Sequence, residues 1–100
     1  MAEIKHVVLL KFKSATTESQ ISGFFDELES LTQKIPGLNH FMGGPYSSPE
    51  GLNQGYTHGF VMSFRDAAAR DGYLPHPEHE RVKSAIVPHV EQIVAFDFEV

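Results

Sequence analysis

Between Tyr73 and Val82 the chain reads YLPHPEHERV, which puts one phenol and two imidazoles among two prolines. An imidazole with an ordinary pKa of about 6.5 gives or takes a proton near neutrality, and a phenol remains a hydrogen-bond donor there. The chemistry these residue types could do is therefore proton transfer. Pro75 and Pro77 forbid a continuous helix, since each lacks a donor N–H and forces the residue before it out of the α region, so His76 is expected to be extended. Pro77 suits a first helical position, and Glu78 and Glu80 complement the positive end of a helix that runs to about Val87 before Pro88 stops it. On that helix His79, Val82 and Ile86 share a face, and because two of the three are apolar, His79 points inward. An inward histidine is either a satisfied core side chain or a group that meets a ligand.

The elements around it are read from periodicity. Glu3 to Phe12 alternates, with Ile4, His6, Val8, Leu10 and Phe12 on one face and Val7 and Leu9 on the other, which describes a central strand covered on both sides. Thr17 followed by Gln20 is a capping box, and Ile21, Phe24, Phe25, Leu28, Leu31 and Ile35 recur at helical spacing until Pro36 and Gly37. A short strand spans Leu38 to Met42, a Gly/Pro/Ser-rich loop runs from Gly43 to Gln54, and a third strand from Gly55 to Phe64 carries Tyr56, His58, Phe60, Met62 and Phe64 on one face. Asp66 caps a short helix that closes near Tyr73. The last strand, Glu91 to Val100, has apolar residues at Val94, Phe96, Phe98 and Val100, with Asp97 and Glu99 opposite.

This order of elements is the α+β, ferredoxin-like βαββαβ unit, an antiparallel sheet with helices on one face. Its first and third strands are neighbours, so His6 and His58 look toward the region that His79 enters, and the Tyr73 hydroxyl can join them. Each of the two strand histidines is a buried residue satisfied by a hydrogen bond or a pocket-lining group. His76 holds its turn, and His40 and His89 are given no role. Val7, Leu9, Val61 and part of the last strand form an apolar patch on the face without helices. A second copy packed sheet to sheet would cover it and make a barrel-like C₂ homodimer.

Composition excludes several classes. One hundred residues, 41% apolar and 21% charged, make a single domain, 1–100, near the low end for a self-sufficient core. The net charge of −5 and the absence of a basic run argue against nucleic acid as a partner, and no apolar stretch is long enough for a membrane span. No signal peptide is visible, so a cytoplasmic location is expected. Without cysteine there are no disulfides, thiolates or Cys-based zinc sites. His76 and His79 have no third ligand fixed by spacing, and neither a metal nor another cofactor is expected.

HVVLLKFK, GYTH, YLPHPEH and the ending AFDFEV, in this order and spacing, resemble the stress-responsive dimeric α/β-barrel (Dabb) family over essentially the whole chain. The resemblance implies a homodimer of ferredoxin-like units. Members that look similar include plant polyketide cyclases, which close a poly-β-ketone by aldol condensation, and carrying their motif over places the catalytic roles on Tyr73 and His79. His79 would withdraw a proton α to a carbonyl, and Tyr73 would hydrogen-bond the developing enolate oxygen. His6 and His58 match strand histidines that line the pocket, with Phe25 and Phe60 as further lining. Leu28 and Val90 stand where the cyclases carry aromatic residues, so the substrate walls differ. The implied ligand is a small aromatic or β-keto compound. The competing expectation is a noncatalytic stress-response or assembly protein in which these residues turn nothing over.

Overall fold

The computed structural model describes residues 2–100. Four strands, β1 (Ile4–Phe12), β2 (Leu38–Pro45), β3 (His58–Phe64) and β4 (Val90–Glu99), form one antiparallel sheet in the order β2-β3-β1-β4. Three helices, α1 (Glu18–Ser30), α2 (Ala67–Tyr73) and α3 (Pro77–Ile86), lie on one face. This is the ferredoxin-like architecture, with β1 and β3 in the middle. The β1 alternation holds: Ile4, His6, Val8, Leu10 and Phe12 are buried under the helices. The register Val8 with Phe60, and His6 with Met62, continues that inward face onto β3.

Thr17 caps α1 through the reciprocal bonds of a capping box, its hydroxyl accepting from the Gln20 N–H at 3.1 Å and the Gln20 side chain accepting from the Thr17 N–H at 2.8 Å. The apolar stripe of α1 buries Ile21 and Leu28, while Phe24 and Phe25 are only partly covered. The regular helix ends at Ser30 rather than at Ile35, and a 3₁₀ turn (Leu31–Gln33) tightens the approach to Pro36. Gly37 then takes φ +84°, and a Cβ there would lie 2.5 Å from that of Ala69, so the turn needs glycine twice over.

Two further boundaries differ from expectation by more than a residue. β2 continues through Gly43, Gly44 and Pro45, because it is an edge strand that tolerates proline and because Gly43 lets Phe25 and Phe60 close over the backbone. β3 starts at His58 rather than Gly55, since Gln54 and Gly55 take positive φ and the Tyr56 N–H donates to the Asn53 carbonyl, making a turn where a strand was expected. Among the described residues no helix is long and apolar enough to cross a membrane.

Candidate functional site

The break between α2 and α3 builds the centre of the site. Asp66 caps α2 by accepting from the Ala69 N–H at 2.8 Å, and the helix ends in Tyr73, which is 2% exposed. Pro75 follows the end of α2 at Leu74, and the Glu78 N–H that a continuing helix would have sent to the Leu74 carbonyl goes to His76 instead, so that carbonyl is left for another donor. His79 supplies it: its Nδ1 lies 3.0 Å from that oxygen. A carbonyl only accepts, so Nδ1 carries the hydrogen and the neutral ring keeps its lone pair on Nε2. His76 is extended at φ −62° and ψ 134° and caps α3, its Nδ1 accepting from the Glu78 N–H at 3.1 Å. The two histidines of the motif thus do different work, one starting the helix and one facing inward from its first turn.

His79 stacks on Tyr73 with ring centroids 4.0 Å apart and planes inclined by 26°. The phenol also meets Phe64 at 5.0 Å and His6 at 6.0 Å, both at steep angles. Burial lowers the pKa of His79, a shift that the Leu74 carbonyl and Glu80 oppose only in part, so the ring is neutral at neutral pH. Burial, with a contribution from the charge of Asp97, raises that of Tyr73 above the ordinary phenol value, so it stays protonated. Its hydroxyl makes no hydrogen bond to another described residue, yet among the described residues no fully buried side-chain polar atom lacks a partner; the hydroxyl therefore reaches open space.

That space is a half-open cavity of about 310 Å³ between the sheet and the α2–α3 turn. Its wall brings together His6, Leu28, Phe60, Tyr73, His79 and Val90, with Val8, Leu10, Leu74, Lys83, Ile86, Val87, Ile93 and Ala95 completing it. The expected lining residues Phe25 and His58 lie elsewhere. His58 pairs with Leu10, two residues along β3 from Phe60, and its ring is enclosed by Phe12 at 5.3 Å and Phe25 at 5.9 Å. Phe25 also packs on Phe41 and Phe60, so this aromatic cluster fills the volume through which either residue would have reached the cavity. His58 instead borders a separate concavity beside Tyr46 and Tyr56.

Sequence reasoning missed Asp97 and Arg70. Asp97 Oδ1 accepts from His6 Nδ1 at 2.6 Å and Oδ2 accepts from the Arg70 guanidinium at 2.7 Å, tying β1, β4 and α2 together behind the cavity. Burial alone would raise the pKa of Asp97, but the hydrogen bonds and charges of His6 and Arg70 hold it below the usual carboxylate value. The bond to a carboxylate also places the His6 hydrogen on Nδ1. A signal was present: Asp97 shares the phase of Ile93 and Ala95, the inward phase of β4 once its register with β1 is known.

The arrangement can hold a small, mostly apolar molecule against a neutral imidazole with a free nitrogen and a protonated phenol that can donate a hydrogen bond. Compared with known proteins, residues 4–100 match the pattern that defines the stress responsive A/B barrel domain. A stress-response A/B barrel domain-containing protein of Arabidopsis thaliana is 35% identical, the alignment covering 96% of this chain and 85% of that one. Olivetolic acid cyclase of Cannabis sativa is 28% identical over 95% of this chain and 94% of its own. Among solved structures, a protein of unknown function from Jannaschia sp. CCS1, described as dimeric and ferredoxin-like, superposes with a TM-score of 0.87 at 30% identity, covering 98% of this chain and 99% of that one.

Proposed function

Because this chain belongs to the stress-responsive A/B barrel domain family, we propose that its cavity binds a small carbonyl compound and that His79 and Tyr73 perform acid–base chemistry on it, as in a polyketide-cyclase-like aldol closure. The observation that carries this reading is the stacked pair on the cavity wall, with His79 Nδ1 committed to Leu74 and Nε2 left as the basic nitrogen. Nε2 takes a proton α to the ligand carbonyl, and the Tyr73 hydroxyl donates to the oxygen on which the negative charge collects. Only the α-proton leaves the ligand in this half-reaction; the enolate then attacks a second carbonyl of the same chain, and the His79 imidazolium returns the proton to the alkoxide so formed. The 28% identity to a cyclase supports the chemistry but not the substrate, since Leu28 and Val90 give this cavity aliphatic walls.

The working unit in this reading is a homodimer joined through the helix-free sheet face. Leu9, Met42, Val94, Phe96 and Phe98 lie exposed there, Met42 at 72% and Phe96 at 65%, and Val61 and Val7 continue the row between those two. That the Jannaschia protein is described as dimeric supports the pairing of two copies.

The test is hydrogen–deuterium exchange at the α-carbon of an aliphatic methyl ketone in D₂O, read by NMR. Exchange accelerated by the protein and lost in His79→Ala is the expected result. A ketone that binds without any acceleration would leave a noncatalytic binding protein and remove the proposed chemistry.

A further inference from the structure

Of the residues on the cavity wall, Lys83 alone carries a permanent charge. It lies one turn beyond His79 on α3, at the i+4 position that shares its face. No carboxylate lines the cavity, although the chain has 13 acidic against 8 basic residues. Asp97, behind His6, has both oxygens engaged and presents no free charge to the interior. The wall also has a direction. Its floor is Leu28 and Phe60, 5% and 7% exposed, whereas Val87 and Ile93 at its mouth are more than half exposed, and the Lys83 side chain is 55% exposed. Among the described residues the ammonium is paired with Glu80 alone, at 3.7 Å, an exposed i,i+3 pair of the kind that contributes little and yields to a better partner.

We propose that Lys83 receives the carboxylate of a small amphipathic acid, whose apolar tail lies on Leu28 and Phe60 and whose carbonyl stands beside His79 and Tyr73. The inference rests on the reading of the cavity as a ligand site and adds the substrate class: medium-chain oxo acids rather than neutral ketones or amides. An apolar floor with a single cation at the rim fixes orientation as well as affinity, because a reversed ligand would bury its charge against Leu28 and Phe60 and leave its tail in water. Glu80 competes with the ligand for Lys83 and so weakens binding.

Octanoate and octanamide, matched in length and differing in charge, test this in the full-length protein, with the His79 and Tyr73 ring resonances as the readout. Octanoate should bind about tenfold more tightly than octanamide, as expected for one charge-assisted contact worth roughly 1.4 kcal/mol. Lys83→Met, which keeps the apolar stem, should bring octanoate down to the affinity of octanamide and leave octanamide unchanged. Glu80→Gln should tighten octanoate alone. If both compounds shift the two rings equally, or if Lys83→Met leaves octanoate binding intact, the carboxylate site is overturned while the cavity stands as a ligand site. If neither compound moves either ring, the ligand-site reading fails and this inference fails with it.

Discussion

Two histidines three residues apart have separate duties, and the difference comes from what each ring nitrogen meets. His76 spends its Nδ1 lone pair on a helix N-terminus, whereas His79 gives its Nδ1 hydrogen to a carbonyl left unpaired at the end of α2. His79→Ala should therefore reduce α-proton exchange by about 10²–10⁴-fold, the usual contribution of a positioned base. Tyr73→Phe keeps the ring stack and removes only the donor, so it should lower the rate with little change in ligand affinity; steady-state rates beside binding titrations check both. The pH dependence has a definite sign. The folded pKa of His79 is depressed below its unfolded value of about 6.5, so its contribution to stability is complete above that value and is lost as pH falls through the folded pKa. The acid limb of the activity profile should accordingly lie below pH 6.5 or so. His58 is shifted downward by burial as well, so denaturation profiles of His79→Gln and His58→Gln between about pH 4 and 7 separate the two contributions.

At the scale of elements, α1 and the β2 edge frame the inner volume. Leu28 is buried on α1 and forms the cavity floor, so Leu28→Ala should cost about 2–5 kcal/mol in thermal or urea denaturation and also enlarge the cavity. Phe25→Ala should cost less than a fully buried phenylalanine would, since Phe25 is only partly covered, and its loss should loosen the enclosure of His58. Gly43 gives a sharper test of β2. A Cβ there would come 2.7 Å from Phe60 Cβ and 2.8 Å from the Gly59 carbonyl and the Phe25 ring, so Gly43→Ala should destabilise the fold although alanine fits a strand backbone. Wild-type stability for that variant would mean that the Phe25, Phe41 and Phe60 rings pack less closely over β2 than their centroid distances of 5.4–6.2 Å imply.

For the whole molecule the decisive surface is the one without helices. A domain of this size has roughly 5–15 kcal/mol of stability, and a face that leaves Phe96, Phe98 and Met42 in water is where a second copy adds most. Leu9→Glu, in a central strand of that face, should convert the proposed dimer to monomer and lower the melting temperature, as measured by light scattering after size exclusion and by calorimetry. A soluble dimeric Leu9→Glu would move the interface elsewhere. The other face should be indifferent to this change except through stability.

The order of elements, the inward face of β1, the capping box of α1 and the proline break before α3 were all legible in the sequence, because each follows from local rules: alternation, helical spacing, a missing N–H. The same spacing turned His79 inward, and the structure agrees. Other features required the tertiary structure. Nothing local says that Asp97 lies opposite His6, since that pairing depends on the register between strands separated by most of the chain. Nor could spacing tell that Phe25 and His58 stop short of the cavity, because both point between helix and sheet and only their packing on each other and on Phe12 and Phe41 closes the way. Nothing in the sequence sets Lys83 apart from the other seven basic residues; only the folded cavity, which it lines, does so. Faces are set by the period of the backbone, which one sequence displays; cavities are what side chains from distant segments fail to fill, which only their assembly in three dimensions decides.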